Sequence, residues 1–149
     1  MATKSLDDLQ LIINKAIEST NYGFSPENLY DPVHYTMSMG GKRIRPLLTL
    51  ISCQLFSKSI DNALPAALAL EIFHNSTLLH DDIMDNSPVR RSLPTVFKKW
   101  NTNVAILSGD AMIMLAYKQL THLEDKLQIN VFKAFNKVTL EVCEGQQYD

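Results

Sequence analysis

The sequence predicts an all-α domain built as a bundle of helices. Apolar residues recur at helical spacing through most of the chain, no stretch sustains an alternation of period two, and Pro, Gly, Asn or Ser punctuate the segments. The 149 residues suffice for one domain with its own core and are too few for two, so residues 1–149 are expected to form a single unit. With 46% hydrophobic and 20% charged residues, the composition excludes a disordered, collagenous or low-complexity chain.

A first helix is expected from Ser5, which can cap the amides of a first turn rich in Asp7 and Asp8, and Leu6, Leu9, Ile13 and Ile17 mark its apolar face. It stops before Asn21-Tyr22-Gly23. Ser25-Pro26-Glu27 starts a second segment, Pro32 is expected to force a break or restart within it, and Gly40-Gly41 ends it. A third helix runs from about Lys42 to Ser57, with Pro46 near its first turn. The fourth, from about Asp61 to Asp85, carries Ala63, Leu64, Ala66, Ala67, Leu68, Ala69 and Leu70 on nearly every face, and a helix that is apolar all round is buried. A polar loop between Asn86-Ser87-Pro88 and Leu93-Pro94 follows, then a short helical turn over 95–100 and two more helices, over about 103–122 and 126–149.

No apolar run is long enough to cross a bilayer and the N-terminus (MATKSLDD) turns acidic, so no transmembrane segment and a cytoplasmic location are expected. Cys53 and Cys143 read as small core residues in a reducing compartment. A net charge of −2 argues against nucleic acid as a partner.

The central helix ends in Leu78-Leu79-His80-Asp81-Asp82-Ile83-Met84-Asp85. Asp81 and Asp85 share a helix face one turn apart, and His74 and Leu78 continue that face toward the buried end. Carboxylates about 5–6 Å apart repel one another, and a hard cation removes that cost. Mg²⁺, which takes one or two carboxylates together with waters and phosphate oxygens, is the natural candidate. His74 and His80 lie on different faces, which does not suit zinc. Taken alone, the aspartates also fit a solvated acidic helix end, but the helix they tip is one that must be buried.

Gly40-Gly41-Lys42-Arg43-Ile44-Arg45-Pro46 opens the third helix with a flexible turn, free amides and three cations, an anion site in outline with Lys42 and Arg45 on one face. Arg90-Arg91 follow the aspartates closely, and arginine's planar fork suits phosphate. Either run alone also fits a solvated basic surface. Together with the acids they describe a pocket for a metal-bound polyanion at the mouth of an apolar bundle. No GxxxxGK[ST] segment supports a nucleotide there.

GGKRIRP, LLHDDIMD, RRSLPT and Leu107-Ser108-Gly109-Asp110, in this order and spacing, make the chain from about Tyr22 to Asp149 resemble the trans-prenyltransferases, the polyprenyl diphosphate synthases. The resemblance implies an antiparallel helix bundle of the isoprenoid synthase type, of which this chain matches the N-terminal half. It implies Mg²⁺-dependent, head-to-tail condensation of an allylic diphosphate with isopentenyl diphosphate, carried out by a homodimer. It implies that Asp81, Asp82 and Asp85 hold Mg²⁺ on the allylic diphosphate, that Arg90 clamps the same group, and that Lys42, Arg45, His74 and Arg91 bind isopentenyl diphosphate. Gln146 and Asp149 fall where the family's GQxxD segment faces the site. The growing chain is implied to run beside the residues that precede the first aspartate, where Ser76 and Thr77 are small. Phe73, about 4.5 Å further along the helix, stands as the wall, which sets the expected product at C20 to C25 or longer.

Ser92 stands where the family usually has Gly, and Phe97 where it usually has His. Members of the family are longer and carry a second aspartate-rich motif that this sequence lacks. A second expectation therefore stands beside the enzyme: a non-catalytic helical fragment or subunit that keeps the fold and a diphosphate/Mg²⁺ site, its last helices left with uncovered apolar faces that favour self-association.

Overall fold

The structure, a computed structural model, describes residues 4–57 and 59–148. Helix α1 (Leu6–Ser19) opens with a capping box: the Ser5 hydroxyl accepts from the Asp8 amide at 3.1 Å while the Asp8 carboxylate accepts from the Ser5 N–H at 3.1 Å. Leu9, Ile13 and Ile17 point into the core, and Leu6, expected on the same face, is exposed. Helix α2 (Glu27–Ser38) runs unbroken through Pro32, contrary to the break that its sequence suggests. A proline there removes one backbone bond, to the carbonyl four residues earlier, and its ring is fully buried beside Val33 and Met37. Helix α3 (Ile44–Phe56) begins two residues later than expected, with Arg43 as its N-cap in the left-handed region at φ 49°, so Pro46 sits in the first turn, where its missing N–H is tolerated.

A 3₁₀ turn (Asp61–Ala63) leads into α4 (Leu64–Met84), the helix on which the others assemble. Ala67, Ala69, Ile72 and Ser76 of α4 are fully buried, as an all-round apolar sequence requires. Its broadest contact is with α6 (Thr102–Leu120), and α1 and α3 pack on it as well. Small residues let α4 and α6 approach closely: a Cβ on Gly109 would fall 2.4 Å from His80 Nε2.

Between α4 and α6 the chain forms a hairpin of Val89–Arg90 (β1) and Leu93–Pro94 (β2), with Val89 opposite Pro94 and Arg90 opposite Leu93. Strands this short carry no readable periodicity, which is why the sequence indicated only a loop. The turn residues Arg91 (φ 50°) and Ser92 (φ 65°) both adopt positive φ, the pattern of a type I′ turn. Glycine takes this conformation freely, whereas a serine costs about 1–2 kcal/mol. The hairpin is anchored at its base. Thr95, fully buried, donates its hydroxyl to the Ser87 carbonyl at 2.9 Å, and the Tyr35 hydroxyl of α2 reaches the Pro94 carbonyl at 2.8 Å. A single helical turn, α5 (Val96–Lys99), then leads into α6, whose first turn is capped by the Asn101 side chain at the Val104 amide.

Helix α7 (Asp125–Tyr148) buries only Phe135 and Thr139, leaving Ile129, Phe132, Val138, Leu140 and Val142 42–56% exposed. The reading of both cysteines as core residues is corrected here: Cys143 is exposed on this uncovered helix, and Cys53 is half-buried. Among the described residues no helix is long and apolar enough to cross a membrane.

Because Ile72 is fully buried at the centre of α4, Ile72→Ala should lower the free energy of unfolding by about 2–5 kcal/mol in a urea titration. A loss below about 1 kcal/mol would contradict the placing of the core around this helix.

Candidate functional site

The glycine-rich turn and the hairpin meet beside α4, over Glu71 and His74. Gly40 (φ 76°) and Gly41 (φ 130°) reverse the chain between α2 and α3 in a conformation that side chains rarely adopt. The Arg91 guanidinium lies over this turn, donating to the Gly40 carbonyl, and a Cβ on Gly41 would come 2.9 Å from its Cζ. Glycine at 41 is favoured by its backbone angle, and the arginine tip packs on the space left by its missing side chain. The two basic runs, separate in sequence, are held together by this contact.

Lys42, Arg43, Ile44, Arg45, Glu71, His74 and Arg91 line a cavity of about 170 Å³. Lys42 precedes α3, so it reaches the cavity from the turn and not, as its spacing suggested, from a helix face shared with Arg45. His74 is half-buried, and burial first, then the charge of Arg45, hold its pKa below the ordinary value of 6.5, with Arg91 and Arg90 adding to the effect and Glu71 opposing it. Burial and, after it, the charge of Arg43 also disfavour the charged form of Arg91. The cavity is therefore an electropositive one whose groups gain from an anion.

The aspartates divide. Asp81 is half-buried and its pKa is raised, by burial first, with Arg90 opposing and Asp85 and Asp82 adding to the rise. Asp85 lies just past the end of α4, its N–H donating to the Asp81 carbonyl at 2.8 Å, and is exposed. Asp82 is only 4% exposed and engages Arg90: Nε donates to Oδ1 at 2.9 Å and Oδ2 at 3.0 Å, and Nη2 lies 2.8 Å from Oδ1. Of the three carboxylates expected to face a metal, Asp82 is turned to the hairpin and paired with Arg90, because successive helical residues point about 100° apart. Among the described residues no group of three or more His, Cys, Asp or Glu side chains converges to hold a metal. Asp81 and Asp85 still fit Mg²⁺, a hard cation that takes one or two carboxylates and completes its shell with water and phosphate oxygens. Arg90 sits between the two halves, its charge felt at Asp81 and at His74 alike.

The other residues named from the sequence fall as follows. Phe73 is nearly buried and meets Phe135 of α7 edge to face at 5.9 Å, with Tyr117 of α6 against the same ring at 5.1 Å. Ser76 is fully buried with its hydroxyl on the Phe73 carbonyl, and Thr77 is half-buried with its hydroxyl on the His74 carbonyl. Gln146 is exposed near the end of α7 and is not among the residues lining the cavity, and Asp149 lies outside the described residues. The sequence missed Glu71 and Asn75, buried polar residues one turn apart on α4, and Tyr117 and Phe135 beside Phe73. The spacing of polar residues along α4 holds a signal for the first pair, since residues 71, 75 and 82 recur on one edge of the helix.

A family model described as polyprenyl synthetase matches residues 26–149. The chain is similar to a short chain isoprenyl diphosphate synthase of Methanocaldococcus jannaschii, with 41% identity over 133 residues that cover 89% of this chain and 41% of that one. It is similar to a geranylgeranyl diphosphate synthase of Methanosarcina mazei, with 39% identity over 83% of this chain and 39% of that one. A crystal structure of a geranylgeranyl pyrophosphate synthase superposes with a TM-score of 0.93 at 45% identity, covering 99% of this chain and 45% of that one. The chain thus spans less than half the length of these relatives.

With its pKa depressed, His74 is neutral at pH 7, and an NMR titration of its ring should give a midpoint below 6.5. The unfolded chain then binds the proton more tightly, so this group's contribution to stability is present above pH 6.5 and declines as the pH falls below it. Added pyrophosphate should move the midpoint upward, because an anion in the cavity favours the imidazolium. A midpoint above 6.5 in the free chain, or one indifferent to pyrophosphate, would contradict this placement of His74.

Proposed function

The chain belongs to the polyprenyl synthetase family, and from that premise we propose that it serves head-to-tail prenyl transfer, the condensation of an allylic diphosphate with isopentenyl diphosphate. The observation that carries the reading is the gathering of Lys42, Arg45, His74 and Arg91 around one cavity, with Arg90 linking it to Asp81. Lys42, Arg45 and Arg91 bind the diphosphate of isopentenyl diphosphate, and His74 adds an N–H to that anion. Arg90, oriented by its forked contact with Asp82, faces the allylic diphosphate. Asp81 and Asp85 hold Mg²⁺, which when bound supplies charge neutralisation to the departing pyrophosphate.

The allylic C1–O bond breaks with its electron pair leaving on pyrophosphate, the isopentenyl double bond forms the new C–C bond to C1, and a proton from the isopentenyl unit passes to the departing pyrophosphate. Fixed cations lower this barrier most where the negative charge of the leaving group develops, which is the task of the arginines and Lys42. The carbon fragment is a cation that water would quench, and the apolar flank of α4 excludes water. Phe73, backed by Phe135 and Tyr117, closes the path of the growing chain and sets a product of C20 to C25, in keeping with the relatives named for a geranylgeranyl product. A homodimer in the cytoplasm completes the proposal. The second reading is a helical fragment or subunit that keeps the fold and the diphosphate site without catalysing.

A titration of inorganic pyrophosphate with and without Mg²⁺ tests the site. Asp81→Ala and Asp85→Ala should each weaken the Mg²⁺-dependent part of binding by tenfold or more, and binding left intact would refute the assignment. Incubation with radiolabelled isopentenyl diphosphate, an allylic primer and Mg²⁺ separates the two readings, since any elongated product excludes the non-catalytic one. In that assay Phe73→Ala should lengthen the product by one or more isoprene units, and an unchanged length would remove Phe73 as the wall.

A further inference from the structure

Arg43 is the second cation of the GGKRIRP run, and its guanidinium is turned inward while Lys42 and Arg45 are exposed. Its Nη1 donates to Glu71 Oε1 at 2.6 Å and its Nη2 to the Met37 carbonyl at 2.8 Å, and Nε is buried without an acceptor. The same Glu71 oxygen accepts from Asn75 Nδ2 at 3.0 Å. Both members of the ion pair are buried and both form part of the cavity wall. Left to itself, Glu71 would be a carboxylate facing an anion site. The backbone supplies a second observation: Gly40, Gly41 and Arg43 all have positive φ, and an arginine stays in that region only when something holds it there.

Resting on the anion-site reading above, we propose that Arg43 and Glu71 are positioning residues for the diphosphate cavity. The pair tethers the turn over residues 40–43 in its left-handed conformation, so that Lys42 and Arg45 flank the cavity from either side of the inward-turned Arg43. It also cancels the charge of Glu71 at the place where an anion binds. Neither residue touches the ligand. The fork of arginine is needed because one hydrogen-bonding arm goes to Glu71 on α4 and the other to Met37 on α2, which joins two helices to the turn.

Charge alone predicts the opposite sign, since removing a carboxylate beside an anion site tightens binding. The test titrates inorganic pyrophosphate, without metal, into the full chain and its variants. Glu71→Met should weaken binding at least fivefold. The Arg43→Met, Glu71→Met double variant leaves the net charge unchanged and replaces a buried pair by apolar side chains, an exchange that proteins often accept without loss of stability; it should weaken binding to the same degree. Arg43→Lys keeps the charge and loses the fork, and should weaken binding at least twofold even if the harsher variants do not fold. Amide hydrogen exchange at Leu47, whose N–H donates to the Arg43 carbonyl at 3.1 Å, should accelerate at least tenfold in each folded variant when measured without ligand. Tighter binding by Glu71→Met, or a folded double variant or Arg43→Lys that binds as the parent does, overturns the proposal. Arg45→Met serves as the control that removes a direct contact. A parent chain that binds no pyrophosphate overturns the anion-site reading itself, and the exchange rates, which need no ligand, then decide whether the pair tethers the turn.

Discussion

Two carboxylates buried on α4, Glu71 and Asp82, each hold one arginine of the two basic elements. Glu71 engages Arg43 from the glycine-rich turn, and Asp82 engages Arg90 from the hairpin. Neither the turn nor the two-residue strands have an apolar face large enough to order themselves, so ion pairs supply the order that hydrophobic burial supplies elsewhere in the bundle. Pairs of this kind are costly to desolvate and add little to stability when compared with apolar side chains of the same volume. Their contribution here is geometric. A single rigid helix, fixed by Ala67, Ala69 and Ile72 in the core, carries both anchors and therefore sets the spacing between the two basic elements.

That helix separates its polar residues by face. The edge carrying 71, 75 and 82 is turned to protein partners, whereas His74, Asp81 and Asp85 lie along the edge that continues to the cavity and the helix end. On the second edge, like charges stand close together. Burial and neighbouring carboxylates raise the pKa of Asp81, and burial and neighbouring guanidinium groups lower that of His74, so each set is stabilised by a ligand of the opposite sign. A metal cation answers the first set and a polyanion the second. A metal diphosphate is one ligand that answers both.

Much of this was legible in the sequence. The Ser5 cap, the all-round burial of α4 and the association of the GGKRIRP and Arg90-Arg91 runs follow from local chemistry, which is carried by residue type and spacing. The inward turn of Arg43 was not legible, because a run of cations looks the same whether one member is in the left-handed region or not. The separation of Asp82 from Asp81 and Asp85 is not legible in the sequence, because its partner, Arg90, lies in a hairpin too short to announce itself. Pro32 was read as a break because the compensating burial of its ring is a tertiary fact. Cys143, expected in the core as a small thiol far from Cys53, is exposed because the packing of this chain leaves much of α7 uncovered, which residue type alone does not reveal.

On the function proposed for this site, acids at the end of α4 and cations around His74 serve one ligand. Manganese in place of magnesium, added together with pyrophosphate and followed by paramagnetic broadening of NMR signals, tests it most directly. A shared ligand should give broadening centred on residues 81–86 that extends to the ring of His74, and only weak broadening when pyrophosphate is left out. Broadening centred elsewhere, or confined to the aspartates with His74 untouched by metal and pyrophosphate together, would contradict it.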